Sequence, residues 1–446
     1  MDLYAQALAA ARRYAEDRST RAVFPTAEAL EGLGAFESDL PDDGLAEEEV
    51  LALLDRFGSP ASVMSSGGRY FGFVTGSSLP AATAAHWLAT AWDQNSALAV
   101  MSPVVARLDD IALSWIADLL GIPPQALGTF VTGATMANFT CLAAARHSLL
   151  QEQGWDVEAK GMFGAPAIPV IVGEEAHVSL LKALRLLGFG TDSLLRVPAD
   201  SQGRMRPDAF PTLTTPALVC LQAGNVNTGA LDPAESLIPL ARASGSWVHV
   251  DGAFGLWANA SASSAPLAAG YEQADSWASD CHKWLNVPYD SGVAFVRSAA
   301  ALVAAMGSTA SYLPSGGTIE AMQRSPESSR RARGVDAWAA LRSLGKKGVA
   351  ELVDRCCHHA RSFAGRLEEA GCQILNEVAL NQVLVALDSD ERTTAWIEAV
   401  QRDGACWCGG TVWQGRKAMR ISVSSWATTR HDVKISVESM LRCRPA

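Results

Sequence analysis

Five short apolar runs, separated by glycine-containing turns and amphipathic stretches, dominate the sequence from Gly128 onward. Strands that alternate with helices need crossover connections, which are right-handed and build a mainly parallel sheet covered by helices on both faces. The sequence therefore predicts an α/β fold. The predicted strands are residues 128–132, 167–172, 217–222, 246–250 and 292–296, and the predicted helices between them are 135–149, 178–187 and 233–243.

Segments on either side of this pattern suggest the domain organisation. Residues 1–66 show helical patterns joined by acidic linkers and are expected to form an N-terminal helical segment. Residues 67–310 are expected to form the large domain. Residues 311–446 carry further helical patterns around 332–344 and 349–370 and from His431, with strands near 383–387 and 419–423, which predicts a smaller C-terminal α/β domain.

The charge and the apolar pattern exclude several classes of partner. The formal net charge is −11, and no block of Lys and Arg is present, so we expect no binding to nucleic acid or to an anionic membrane. No run approaches the roughly 20 apolar residues of a membrane helix, and the first residues lack a signal-peptide core. We therefore expect a cytoplasmic protein whose partners are small molecules.

The nine cysteines are widely scattered, which is typical of reduced thiols rather than of a disulfide framework. Two clusters suggest metal, residues 356–359 (CCHH) and 406–408 (CWC). Neither has the C-x2-C pairing of a structural zinc site, so no metal is expected.

Ligands of such sheets bind at the carboxyl ends of the strands. Lys283 lies just past an apolar strand, between His282 and Trp284. A lysine amine forms an imine with an aldehyde once burial or a neighbouring cation favours its neutral form. A lone lysine is more often an ordinary surface residue, so the assignment depends on what accompanies it.

Asp251 follows the apolar strand 246–250 directly, so its carboxylate should project from the carboxyl edge of the sheet. Pyridoxal 5'-phosphate (PLP) needs such a carboxylate beside its pyridine nitrogen, which must stay protonated for the ring to accept electrons. An aspartate at such a position is, by itself, more often a helix cap or a turn residue. Lys283 some thirty residues later favours the functional interpretation.

The segment FVTGATMANFT at residues 130–140 combines a strand, a glycine turn and a helix that begins at about Thr135. The amides and dipole of a helix N-terminus bind anions, and the Thr135 hydroxyl adds a donor. The fingerprints of dinucleotide and nucleoside triphosphate sites are missing. His177 ends another strand, where an imidazole could stack on a cofactor ring, although a loop histidine is usually only a polar surface residue.

With these residues in place, the sequence resembles the group II PLP-dependent amino acid decarboxylases, whose fold is that of aspartate aminotransferase (fold type I). The resemblance extends from about Gly67 to Thr429. The segments that carry it are SDCHKW, HVDGAFG, EEAHVSLLKALRLLG, QAGNVNTGALDP and SRRARGVDAWAALRSLG.

The resemblance implies a set of site residues. Lys283, His177 and Asp251 would be catalytic: Lys283 would hold PLP as a Schiff base, Asp251 would pair with the pyridinium and His177 would stack on the ring. Ala134, Thr135 and His282 match phosphate-binding positions, and Asp280 stands at a position that is often polar in relatives. The remaining implied residues are Ala253 and Thr228 for the cofactor, and Tyr70, Phe71 and Arg420 for the substrate, with core packing as the alternative for Tyr70 and Phe71.

The implied activity is decarboxylation of an amino acid to an amine and CO2 through an external aldimine, in a homodimer with active sites at the interface. One departure concerns the segment after Tyr312. Animal aromatic amino acid decarboxylases carry a proton-donating tyrosine on a mobile loop, whereas residues 313–330 of this chain contain no tyrosine. In relatives, loss of that tyrosine can redirect the chemistry toward an aldehyde.

Two alternatives therefore stay open. The first is an aldehyde synthase, a carbon-carbon lyase or a condensing enzyme on the same PLP scaffold. The second is a non-catalytic protein with this fold, against which the intact set of Lys283, Asp251 and His177 argues. The substrate is also open, with only a slight preference for an aromatic or mid-sized apolar amino acid, because no basic cluster calls for an acidic side chain.

Overall fold

The computed structural model describes residues 2–308 and 319–445. Tyr312, which begins the segment that departs from the animal decarboxylases, lies outside the described residues. The chain divides into two compact units. Unit 1 comprises residues 1–75, 362–375 and 383–446, and unit 2 comprises residues 76–361 and 376–382. The domain boundaries at 66/67 and 310/311 stay predictions.

Eleven strands are present in the described part of the chain. They are β1 (Leu127–Val131), β2 (Val170–Gly173), β3 (Leu195–Val197), β4 (Leu218–Gln222), β5 (Trp247–Asp251), β6 (Ser276–Asp280), β7 (Gly292–Val296), β8 (Gln373–Ile374), β9 (Gln382–Ala386), β10 (Gly409–Trp413) and β11 (Arg416–Ser422).

Helices precede, separate and follow these strands. They are α1 (Leu3–Glu16), α2 (Ala27–Glu31), α3 (Glu47–Leu53), α4 (Ser59–Ala61), α5 (Pro80–Trp92), α6 (Pro103–Leu119), α7 (Ala134–Gln151), α8 (Val157–Lys160), α9 (Val178–Leu186), α10 (Ala234–Arg242), α11 (Ala299–Met306), α12 (Arg333–Glu369), α13 (Asp390–Asp403) and α14 (Arg430–Arg442). Gly345 interrupts α12 with a left-handed φ of 63°, so this helix consists of two segments, as the two helical patterns predict.

Unit 2 contains a seven-stranded sheet with the order β1-β7-β6-β5-β4-β2-β3. Neighbouring strands from β3 to β6 pair in parallel, whereas β7 runs antiparallel to both β1 and β6. The predicted α/β fold with a mainly parallel sheet is confirmed. β3 escaped prediction because three residues are too few for a recognisable alternation.

Helix α7 occupies the centre of unit 2, where it packs on β5, β6 and β7 and against α9 and α11. Its side chains are apolar on nearly every face, which is typical of a helix that is buried all round. Two polar side chains of α7, Asn138 and Thr140, are fully buried with it. A buried amide needs hydrogen-bond partners, so Asn138 must find them within the protein.

The parallel strands bring their carboxyl ends to one edge of the sheet. Gln222 at the end of β4 pairs in register with Asp251 at the end of β5, and Asp251 pairs with Ala278 of β6. Polar residues that are distant in sequence therefore meet at this edge, where sheets of this kind bind their ligands.

Unit 1 contains a four-stranded sheet with the order β10-β11-β9-β8, in which β10 pairs with β11 and β8 pairs with β9, both antiparallel. Its helices include the four N-terminal ones, which agree with the helical pattern of residues 1–66. Within the described ranges, no helix combines the length and the apolar character that a membrane crossing needs.

Candidate active site

A cleft at the carboxyl edge of the large sheet brings together four of the residues singled out in the sequence. His177, Asp251, Ala253 and Lys283 line it. The remaining lining residues are Gln222, Gly224, Val226 and Phe254. A lysine, a carboxylate and an imidazole from three different strand ends therefore share one concave site, which is the usual arrangement of a small-molecule site.

Asp251 is the last residue of β5, and its side chain is almost completely buried. Its Oδ2 accepts a hydrogen bond from Nδ2 of Asn138 at 3.0 Å, and its Oδ1 accepts one from the backbone amide of Ala253 at 3.3 Å. Donors on a carboxylate favour its charged form. The carboxylate is thus fixed in orientation and suited to hold a positive partner in the cleft.

Lys283 lies in the turn that follows β6. Its Nζ is 3.0 Å from Oδ2 of Asp280, the last residue of that strand. The second oxygen of Asp280, Oδ1, accepts the backbone amide of Ala134 at 2.6 Å. One buried carboxylate therefore joins the lysine amine to the first residue of α7.

The N-terminus of α7 is built on two glycines. A Cβ on Gly292 would come within 2.5 Å of Cα of Gly133, and a Cβ on Gly133 would come within 3.0 Å of Cε1 of His282. Only glycine therefore lets β7 and His282 approach this helix end. The first amides of a helix have no partner within it, so those of Thr135 and the next residue suit an anion.

His282 faces the same helix end. Its Nδ1 accepts the backbone amide of Ser291 at 3.1 Å, and its Nε2 lies 3.5 Å from Oδ1 of Asp280. Burial lowers the pKa of His282, opposed by the charge of Asp280, so the ring is neutral at pH 7. In that neutral ring the proton is on Nε2, because Nδ1 accepts a hydrogen bond.

His177 precedes α9 and caps it. Its Nδ1 accepts the backbone amide of Ser179 at 3.2 Å and lies 2.7 Å from the Ser179 hydroxyl. The His177 amide donates to Oε1 of Gln222 at 3.1 Å, which ties it to the end of β4. These contacts fix the ring beside the cleft and leave its proton on Nε2 when it is neutral.

The segment at the start of unit 2 packs directly on the turn that carries Lys283. A Cβ on Gly76 would lie 1.9 Å from the carbonyl oxygen of Lys283, so no other residue fits there. The amides of Ser77 and Leu79 both donate to Asn286, at 3.0 Å and 2.8 Å. These contacts fix the position of the turn that carries Lys283.

Thr228 is not among the residues that line this cleft. Its hydroxyl donates to the carbonyl of Gln202 at 2.6 Å, and its side chain lines a separate cavity of unit 2 together with Arg204 and Glu377. A cofactor role for Thr228 therefore stays a prediction.

The three residues implied for the substrate belong to unit 1. Tyr70 stacks on Trp407 with a centroid distance of 5.1 Å. Phe71 is fully buried and meets Phe363 edge to face at 5.0 Å, which is the core packing named as its alternative. Arg420 lies in β11, and burial lowers its pKa. Their substrate roles stay predictions.

Three residues around the site were missed in the sequence: Asn138, His249 and Gln222. A signal for two of them existed. His249 precedes Asp251 by two residues on one strand, so both side chains face the same side of the sheet. Asn138 comes one helical turn after Ala134, on the helix that covers that side.

The cysteines of the two clusters that suggested metal are buried free thiols. Burial raises the pKa of Cys356 to about 11 and that of Cys357 to about 12, so both are protonated at neutral pH. In the described residues, no group of three or more His, Cys, Asp or Glu side chains is arranged to hold a metal ion.

The donor set of the cleft suits PLP. Lys283 offers an amine for the aldehyde, Asp251 offers a buried carboxylate for the pyridine nitrogen, and the open amides of α7 suit a phosphate. The small side chain of Ala253 also lines the cleft.

Comparisons with known proteins identify the family of this chain. The pyridoxal-dependent decarboxylase conserved domain matches residues 38–387, well over half of the chain. The aromatic-L-amino-acid decarboxylase of Bacillus atrophaeus is 25% identical over 346 residues, covering 74% of this chain and 70% of that protein. Tryptophan decarboxylase 1 of Oryza sativa subsp. japonica is 25% identical over 410 residues, covering 83% and 79%.

Among solved structures, the crystal structure of Oryza sativa TDC with PLP and tryptamine has the same fold, with a TM-score of 0.91, 20% identity and coverage of 99% of this chain and 96% of that chain. The expected fold type is confirmed by this likeness, and the resemblance found in the sequence is confirmed by the domain match. This chain belongs to the pyridoxal-dependent decarboxylase family, whose members are lyases that use PLP to decarboxylate amino acids.

Proposed function

We propose that this decarboxylase works through Lys283, Asp251 and His177 and that its substrate is an L-amino acid with an aromatic or mid-sized apolar side chain. The observation that carries the assignment of residues is their convergence on one cleft from three strand ends of unit 2. The names of the relatives from Bacillus atrophaeus and Oryza sativa support an aromatic substrate.

PLP, when bound, supplies an aldehyde that takes up amines and a pyridinium ring that accepts the electrons left behind as CO2 departs. Lys283 contributes the amine that anchors the cofactor and moves protons at its Nζ. Asp251 holds the proton of the pyridine nitrogen, because a buried carboxylate stabilises an adjacent positive charge. Ala134, Thr135 and His282 bind the phosphate through backbone amides, a hydroxyl and the Nε2 proton.

His177 orients the ring and the reacting amino acid in this proposal. Its imidazole is held by Ser179 and Gln222, so it presents one face and one tautomer to the cleft. A fixed ring restricts the cofactor without a covalent bond and excludes water from one side of it. Ala253 leaves the opposite side free for a flat ligand.

The substrate carboxylate is assigned to Arg420 and the side-chain pocket to Tyr70. A guanidinium recognises a carboxylate with two parallel hydrogen bonds, which orients the group that leaves. Tyr70 belongs to an aromatic stack with Trp407 and Phe73 in unit 1. Aromatic surfaces of this kind favour aromatic or apolar side chains.

A second candidate keeps the cofactor and changes the product. Residues 313–330 contain no tyrosine, and the animal decarboxylases that the sequence resembles place their proton donor on that loop. Without such a donor, the amino acid would still lose CO2, but its remaining carbon would react with O2 and water to give an aldehyde, ammonia and hydrogen peroxide, with O2 as the two-electron oxidant. Measurement of the products separates the two candidates.

We also propose a homodimer. Leu88 and Trp92 lie four residues apart on α5, hence on one face of the helix, and both are largely exposed together with Trp87. Apolar side chains that cluster on a surface are typical of a protein interface. A cytoplasmic location is inferred from the nine free thiols, because structural disulfides are rare in reducing compartments.

The test is to incubate the PLP-loaded protein with single L-amino acids that include aromatic, branched, acidic and diamino members, and to quantify CO2, amine, aldehyde and peroxide. CO2 with a matching amine from an aromatic member supports the proposal. Aldehyde with peroxide establishes the second candidate, and turnover confined to acidic or diamino substrates refutes the substrate class.

A further inference from the structure

A chain of hydrogen bonds extends from the interior of unit 2 to Asp251. Nε1 of Trp247 donates to Oγ of Ser276 at 3.0 Å, and that hydroxyl lies 3.0 Å from Nδ1 of His249. Nε2 of His249 lies 2.9 Å from Oδ1 of Asn138, whose Nδ2 donates to Oδ2 of Asp251 at 3.0 Å. This hydrogen-bond chain links side chains of β5, β6 and α7.

Every hydrogen in this chain has one consistent position. An amide nitrogen only donates, so the Asn138 oxygen must accept, and the proton of His249 is on Nε2. The indole of Trp247 also only donates, so the Ser276 hydroxyl accepts from it and gives its own hydrogen to Nδ1 of His249. Each donor therefore points toward Asp251, and neighbouring bonds of this kind strengthen one another.

The central members of this hydrogen-bond chain are buried. Asn138, His249 and Ser276 are fully buried, and Asp251 is nearly so. Burial lowers the pKa of His249 to about 3, which agrees with the neutral tautomer that the hydrogen positions require. Two further titratable groups, the thiols of Cys141 and Cys220, flank this hydrogen-bond chain, and burial raises the pKa of both well above its ordinary value, so neither thiol is charged at neutral pH.

We propose that Asn138 and His249 are positioning residues that hold the carboxylate of Asp251 in the orientation and charge state that the pyridine nitrogen of PLP requires. This inference rests on the proposed role of Asp251. Asn138 fixes one carboxylate oxygen, and His249 fixes Asn138, because an unsupported amide could rotate and present its oxygen to the carboxylate. Support of this kind for a ligand-binding group keeps its geometry fixed when the cofactor binds.

The test compares the purified holoenzyme with four variants. Asn138→Leu removes the donor at nearly constant volume. His249→Phe removes the donor to Asn138, whereas His249→Gln keeps an amide nitrogen near the position of Nε2. The matched control is Thr140→Val, since Thr140 is also a fully buried polar residue of α7, but its hydroxyl donates to the carbonyl of Met136 within the helix.

Two measurements need no amino acid substrate: the dissociation constant of PLP after cofactor removal and reconstitution, and the absorbance of bound PLP between pH 6 and 9. We expect Asn138→Leu and His249→Phe to bind PLP about tenfold more weakly or worse, since each loses support for a hydrogen bond to a charged group. The pH at which the absorbance of bound PLP changes should shift in these two variants, because the pyridine nitrogen holds its proton less firmly. Thr140→Val should match the wild type, and His249→Gln should recover most of the loss.

Wild-type affinity and an unchanged titration in Asn138→Leu would overturn the proposal. If that variant does not fold, the pair His249→Phe and His249→Gln decides the question in the same way. A purely structural role predicts a lower melting temperature in the variants with no spectral change, and that outcome also refutes the proposal. If the spectral effects appear but no amino acid is decarboxylated, the substrate and product assignments fail while the positioning role stands.

Discussion

Nζ of Lys283 lies 3.0 Å from Oδ2 of Asp280, so the amine assigned to the cofactor is held by a carboxylate at the end of the preceding strand. The other oxygen of Asp280 accepts the Ala134 amide, which is also assigned to the phosphate. A phosphate dianion bound at the N-terminus of α7 would therefore lie close to the negative charge of the Asp280 carboxylate.

Replacement of Asp280 by Asn should therefore tighten PLP binding. The substitution keeps the shape and removes a like charge beside the phosphate, and we expect a dissociation constant about three- to tenfold lower at low ionic strength. The measurement is reconstitution of the cofactor-free protein with PLP. Asp208→Asn is the matched control, because that carboxylate is exposed and pairs with Arg206. Weaker PLP binding in Asp280→Asn would mean that the contact by which Asp280 positions Lys283 matters more than the repulsion between Asp280 and the phosphate.

Replacement of Lys283 by Ala should abolish both turnover and covalent attachment of the cofactor. Borohydride reduction of the holoenzyme followed by peptide mass spectrometry should find PLP on the peptide that contains Lys283, and the variant should yield no labelled peptide. Lys182→Ala, at an exposed lysine of α9, should behave like the wild type. Label on another lysine of the wild-type protein would contradict the assignment.

Replacement of Arg420 by Gln should raise KM for the amino acid at least tenfold, because the substrate carboxylate would lose a charged bidentate partner worth about 1.5–3 kcal/mol. The absorbance of bound PLP should not change. The control is Arg416→Gln on the same strand, whose exposed guanidinium donates to Gln373 and to the Leu387 carbonyl. An unaltered KM in Arg420→Gln would remove this residue from the substrate site.

Replacement of Leu88 by Glu should weaken the proposed dimer. The substitution places a charge on the exposed apolar face of α5. Burial of that charge in an interface costs free energy, because the carboxylate loses its contact with water. Light scattering coupled to gel filtration should find a dimer for the wild type and a larger share of monomer for the variant at low protein concentration. Leu240→Glu, at a comparably exposed leucine of α10, serves as the control. A wild-type monomer at micromolar concentration would refute the proposal.

Acid should destabilise the protein through His249. Burial lowers the folded-state pKa of His249 to about 3 from an ordinary value of 6.5, so between these values the unfolded chain binds more protons. Stability from this group is present above pH 6.5 and is lost as the pH falls toward 3. Between pH 7 and pH 5 the loss is about 2 kcal/mol.

His249→Gln should lack this part of the pH dependence. The measurement is the free energy of unfolding by urea at pH 7 and pH 5, in which the wild type should lose about 2 kcal/mol more than the variant. His431→Gln serves as the control, because His431 is exposed on α14. Equal losses in the wild type and in His249→Gln would mean that His249 takes up no proton on unfolding in this range.

The sequence by itself determined the class of fold and the residue types of the site. Alternating apolar strands and amphipathic helices are local signals, since their periods of 2 and 3.6 residues are visible within one short segment. Asp251 and Lys283 were found for the same reason, because each stands directly after an apolar strand. The break of α12 at Gly345 was equally visible as a gap between two helical patterns.

Only the tertiary structure decided which of these residues meet. The bond from Asn138 to Asp251 joins residues 113 positions apart, and the packing of Gly76 on the Lys283 carbonyl joins two distant segments. Likewise, the hydrogen bond from the Thr228 hydroxyl to the Gln202 carbonyl joins residues 26 positions apart. Such contacts follow from the order of the strands and from how α7 crosses the sheet. The packing energy that selects this arrangement is spread over the whole core, so a local sequence pattern cannot predict them.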